Sequence, residues 1–263
     1  SRALNVLLSF ETQLPFDKWE MWRDMRALPL AEQKKWLLDS DKRRKLVEIA
    51  SKPYEGPEVR GTEARPPEWD WIYAMTDMKG PHKSMADLAR GRNTHPVEVM
   101  IDMALERDMK FFMIQPIANE NQAEAVELMK HPRSVVTFSD SGAHVSQIMD
   151  ASLQTHLLSH WVRDKQVFTL EEAVKMLTCD IATQFGFHDR GLLREGLAAD
   201  IAVFDPDTVA PRMPEVVTDL PAKAKRLRQK ADGMKATIVN GQVLLRDNEP
   251  TGNLPGRLLR KKR

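Results

Sequence analysis

The sequence predicts a mixed α/β chain that ends in a small all-β segment. Three observations carry this reading. Strand-like and helix-like stretches alternate regularly between residues 96 and 163, residues 170–185 carry a helix-start signal and end at Gly186, and beyond Gly186 the runs become short and β-like. Strands that alternate with helices make parallel βα units. Residues 1–190 therefore read as one α/β part and residues 191–263 as a small β part.

Residues 4–10 form a short apolar run that fits a buried strand. From residue 16 to about 50 helix formers dominate, with Trp19, Trp22, Met25 and Leu28 spaced three apart, and the stretch divides at Pro29 and again near Asp41 into two or three short helices. Residues 51–70 hold Pro53, Gly56, Pro57, Gly61, Pro66 and Pro67, a breaker density that predicts a long loop. A strand is expected at residues 71–75, a turn at Gly80-Pro81 and a helix at 84–90. Then follow a helix at 96–107, a strand at 111–115, a helix at 121–130, a strand at 134–138 and a helix at 145–163. Thr169, with Glu172 three residues later, is a capping box for the helix over 170–185. In the β part, runs at 199–204 and 236–245 are strands, the second folded on Asn240-Gly241, a favoured type I′ hairpin pair.

Bulk properties narrow the function classes. A chain of 263 residues that is 42% hydrophobic can bury a real core, and a formal charge of +1 gives no global field toward nucleic acid or anionic lipid. Small-molecule chemistry is the expectation, with neither nucleic acid nor membrane as partner and with room for a homo-oligomer. The basic stretch 223–230 and the terminal residues 260–263 lack interleaved aromatics, so they read as a solvated face and a tail. A single cysteine, Cys179, excludes an internal disulfide, and together with the lack of an export signal it points to the cytoplasm. The chain opens on Ser1 with an apolar run a few residues later, which leads us to expect sequence upstream of it.

The strongest chemical signal is the run from Ser134 to His144, an apolar stretch ending in Ser139, Asp140, Gly142 and His144. In a parallel βα barrel the C-terminal strand ends open onto the active site, so a carboxylate there can bind metal or move a proton. Asp140 holds that position; a helix N-cap or a loop bond to backbone amides explains it equally well. Gly142 allows a sharp turn, while His144 could contact substrate or brace the loop. His156 and His160 have the four-residue spacing of a two-histidine metal site, but Leu157, Leu158 and Trp161 around them favour packing. Cys179 has no base beside it and reads as structural.

At Ser139 to His144, Leu157 to Arg163, Gly191 to Gly196, Ala199 to Asp205 and Val239 to Val243, the sequence resembles the D-aminoacylase-like branch of the amidohydrolase superfamily. Pro29 to Glu32 and His95 to Glu98 extend that resemblance over nearly the whole chain. It implies the C-terminal part of a (β/α)8 metal-dependent hydrolase barrel, residues 1–190, followed by a small β-sandwich segment and tail, residues 191–263. It also implies hydrolysis of an N-acyl-D-amino acid or related amide with one or two zinc ions, Asp140 being both metal ligand and proton carrier, and Ser139, Gly142 and His144 supporting the substrate or the loop. A catalytic zinc generally takes three protein ligands, and the chain contains no His-x-His. The remaining ligands are expected upstream of Ser1, and this chain alone is expected to be inactive. A cyclic-amide hydrolase of the same superfamily and a non-catalytic binding or scaffolding subunit are the competing readings.

Overall fold

In the computed structural model, the described residues are 3–59, 66–137, 139–141, 143–148 and 151–260. The first strand, β1 (Leu4–Leu8), is followed by three helices, α1 (Glu20–Arg26), α2 (Leu30–Leu38) and α3 (Ser40–Ala50). The expected loop over 51–70 lies partly outside the described residues; beyond it come β2 (Tyr73–Met75), α4 (Met85–Arg92), α5 (Pro96–Glu106), β3 (Phe112–Ala118) and α6 (Gln122–Lys130). These elements lie where the apolar periodicity and the breakers put them.

The three strands form one sheet in the order β1-β3-β2. Period-two alternation gives the sheet two apolar faces. Leu8, Ala74 and Met113 enter the largest core cluster with Trp22, Met25, Leu46, Met100 and Ile101 from the helices. Leu7, Met75, Phe112 and Ile114 form a second cluster on the other face. Trp22 is fully buried and its indole N–H donates to the Leu46 carbonyl at 3.0 Å, so the largest core side chain also has its polar atom satisfied.

The expected parallel arrangement is not what these strands make, because β1 and β2 both run antiparallel to β3. Alternation along the sequence fixes the kinds of element; strand direction is decided by which neighbours meet. Residues 134–137 are also not a strand: Val136 is buried and Val135 is 40% exposed, and the stretch has no ladder partner among the described residues. Apolar, β-branched composition favours a strand only where a neighbouring edge offers hydrogen bonds.

The helix expected over 145–163 starts later, as α7 (Leu153–His156), and continues as a π-helix over Leu157–Asp164. The carbonyls of Val145 and Gln147 accept from Leu227 and Leu7 at 2.7 Å each, so they are committed to strands in place of a helical ladder. The helix over 170–185 divides at Thr178 (φ −129°, ψ −85°) into α8 (Leu170–Leu177) and α9 (Cys179–Phe185), closed by Gly186 at φ 74°. The β part comprises β4 (Ile201–Phe204), β5 (Ala210–Pro211), β6 (Glu215–Val217), β7 (Arg226–Arg228), β8 (Ala231–Asp232), β9 (Met234–Val239), β10 (Gln242–Arg246) and β11 (Glu249–Pro250). Its main sheet runs β11-β10-β9-β4, with β5-β8 and β6-β7 as separate pairs.

Apolar side chains of the β part pack on the rest at two places. Phe204 and Met234 lie against the cluster of Leu157, Leu158, Trp161 and Ala173, while Val216 and Leu227 of the β6–β7 hairpin cover the second face of the three-stranded sheet. In the basic stretch 223–230, residues 223–225 are exposed and 226–230 half-buried, with Arg226 on Asp219, Arg228 on Glu215 and Lys230 on Glu249 while Leu227 packs inward.

Candidate functional site

A cavity of about 770 Å³, open to solvent, is lined by residues of the stretch 130–137 and by Ser139 and Asp140. Its walls come from α6, from the start of β1 at Leu4, from Asn119 just past β3, from Leu153 on α7, and from the α8–α9 junction. Asn121 builds the α6 wall by capping the helix, accepting from the amides of Ala123 and Glu124. The π-helix, α8 and α6 share apolar contacts that hold the opposing walls together: Ala173 is fully buried against Leu157 and Trp161, and Val126 and Met129 pack on that cluster.

Asp140 and Ser139 both line this cavity. Asp140 is exposed and takes the left-handed conformation, φ 60°, which an Asp tolerates better than most residues. Its main-chain carbonyl accepts from Ala143 at 3.0 Å, so it opens a tight turn, and no helix starts at it. The N-cap alternative for Asp140 is therefore not what the described residues form.

His144 does not join them. Its carbonyl accepts from Gln147 and Ile148, its ring is exposed, and it lines neither this cavity nor a second one of about 300 Å³ beside the β6–β7 hairpin. Gly142 lies outside the described residues. His156 and His160 stack with ring centroids 4.7 Å apart and planes at 13°, and Trp161 meets His160 edge-on at 4.7 Å, an aromatic packing arrangement.

Sequence reading missed the pair formed by Lys175 and Asp180 in the cavity wall, bonded at 2.5 Å. The hydrogen bond to Asp180 holds the Lys175 ammonium above the usual lysine range. The two residues are five apart and meet because the helix breaks at Thr178, which no local signal announces. His131 also lines the cavity, its Nδ1 accepting from the Arg133 amide at 3.2 Å.

A zinc ion is what the family resemblance implies, and a carboxylate is a suitable donor for one. The described residues do not complete such a site: no three His, Cys, Asp or Glu side chains among them are grouped as metal ligands. The cavity is lined by one exposed carboxylate at a turn, by hydroxyls, and elsewhere in its wall by a lysine paired with Asp180. That arrangement can accept and return a proton beside a polar substrate. No helix among the described residues is long and apolar enough to cross a membrane.

Residues 71–245 match the Amidohydrolase family. Over 107 residues, 41% of this chain and 20% of the relative, the sequence is 37% identical to N-acyl-D-glutamate deacylase of Alcaligenes xylosoxydans xylosoxydans. Over 171 residues, 62% of this chain and 32% of the relative, it is 30% identical to N-acyl-D-aspartate deacylase of the same organism. Among solved structures, N-acyl-D-glutamate deacylase from Bordetella bronchiseptica, complexed with zinc and a phosphonate inhibitor, is 25% identical over 73% of this chain and 38% of that one, at a TM-score of 0.42. These alignments span a third or less of the curated relatives' lengths. With two thirds of its residues inside the matched segment, the chain belongs to the amidohydrolase family.

Proposed function

We propose that this chain is part of a metal-dependent hydrolase that cleaves a linear amide, the acyl bond of an N-acyl-D-amino acid, and that Asp140 is its proton carrier. The observation that carries the reading is the position of Asp140, held by a turn at the mouth of a cavity roomy enough for a small acylated amino acid. Membership of the family and the identity to two N-acyl-D-amino-acid deacylases support the same chemistry. Zinc is the metal we propose. Asp140 is the one donor assigned here, and the described residues do not complete the ligand set.

In this reading Asp140 accepts a proton from the attacking water and delivers it to the leaving amine nitrogen, so the carboxylate ends the cycle as it began. Ser139, next to it in the wall, hydrogen-bonds the substrate or the loop. The test is Asp140→Asn in the complete polypeptide that carries this chain, assayed on N-acetyl-D-amino acids. Loss of proton transfer lowers turnover by at least ~100-fold, and near-normal turnover would overturn the assignment.

A further inference from the structure

The loop that carries Asp140 is gripped on two sides. On one side the Leu7 amide donates to the Gln147 carbonyl at 2.7 Å, and Val6 bridges Ile148. On the other the Leu227 amide donates to the Val145 carbonyl, also at 2.7 Å. Leu227 belongs to β7, where it stands opposite Val216 of β6. Alternate residues of an antiparallel pair turn their N–H away from the partner strand, so Leu227 spends on the loop a donor that the hairpin does not need. The hairpin is itself tied down: Arg226 holds Asp219 by two bonds of 2.6 and 2.7 Å, Arg228 holds Glu215 at 2.9 Å, and Val216 and Leu227 pack on the sheet that contains Leu7.

We propose that the β6–β7 hairpin is a positioning element for Asp140, acting through the Leu227 N–H on the Val145 carbonyl. The inference rests on the proposed role of Asp140 in proton transfer. Left-handed backbone at a non-glycine residue persists only where its surroundings hold it. Asp140 sits in that conformation five residues before the Leu227 anchor. The hairpin belongs to the β part and Asp140 to the α/β part, so the contact makes the small β part a component of the site and not only a cover.

The test compares Leu227→Pro, which removes the N–H, with Leu227→Ala, which keeps it while also shortening the side chain, both in the complete polypeptide. We expect Leu227→Pro to lower kcat about 10-fold or more with KM nearly unchanged, a displacement of ~1 Å at a catalytic group being worth up to about 100-fold. Leu227→Ala should retain kcat, which a loss of packing alone would not explain. Equal kcat in the two variants, or a change confined to KM, overturns the proposal. If Leu227→Pro does not fold, amide hydrogen exchange on the unmodified protein decides: a strongly protected Leu227 amide supports the anchor, and exchange at the rate of an exposed amide overturns it. Normal turnover in Asp140→Asn would remove the proton-transfer reading by itself, and the exchange measurement would still decide whether the hairpin anchors the loop.

Discussion

Asp39 closes α2 and opens α3, and its carboxylate accepts from the amides of Lys42 and Asp41 at 3.1 Å each. Those bonds, that from Lys42 first, hold its carboxyl below the usual range. A depressed folded pKa means that the unfolded chain binds the proton more readily, so the stabilisation is complete above the ordinary carboxylate value near ~4 and is lost as pH falls through the lower folded value. Asp39→Asn keeps an acceptor but removes the charge. Denaturant midpoints should therefore favour the unmodified protein at pH 7, with the gap closing in acid; a gap that does not change with pH would mean the charge contributes nothing. Single residues differ in how much of their role the sequence reveals. Asp140 stood out because an apolar run ends at it, but nothing local announces its left-handed turn, and the cavity that it lines is walled by Leu4, Asn119 and α9, which are distant in sequence. His144 was a weaker candidate from the sequence, and in the fold its carbonyl accepts from the Gln147 and Ile148 amides while its ring stays in solvent.

Among elements, those whose determinants are local were legible. The capping box at Thr169 forms as its spacing requires, Thr169 accepting from the Glu172 amide and Glu172 from the Thr169 amide. Thr169→Ala should cost about 1 kcal/mol of stability, measured by chemical denaturation; a cost near zero would show that the tertiary contact of Ala173 alone holds α8 in place. Asn240 and Gly241 turn at φ 47° and 77°, as a type I′ pair must, and join β9 to β10. Where an element depends on a partner the reading failed. Residues 134–137 have the composition of a strand and no ladder partner among the described residues, and residues 145–148 resemble a helix start in which the carbonyls of Val145 and Gln147 are taken by Leu227 and Leu7. Composition records what a segment prefers by itself; pairing and strand direction are set by residues more than a hundred positions apart, as in β1 on β3.

At the scale of the molecule, the question is what fixes the β part to the α/β part, because the Asp140 loop lies between them. Apolar contact supplies one answer, with Phe204 and Met234 against Trp161 and Leu158. Arg163 supplies a directional one. From the end of the π-helix its guanidinium donates to the carbonyls of Asp207 at 3.2 Å and Val209 at 2.8 Å, in the link between β4 and β5. Val209 is fully buried and Arg163 is its carbonyl's partner across the junction. Charge-assisted bonds of this kind are worth about 1.5–3 kcal/mol. The Arg163 side chain is 29% exposed, so solvent screening puts the expectation for Arg163→Met near the low end, about 1–2 kcal/mol. Arg163→Lys should recover less than half of that, because one ammonium cannot reproduce the planar fork that reaches neighbouring carbonyls. Denaturation of the three proteins at neutral pH reads this directly, and full recovery by lysine would mean that charge alone, without the geometry of the guanidinium, joins the two parts.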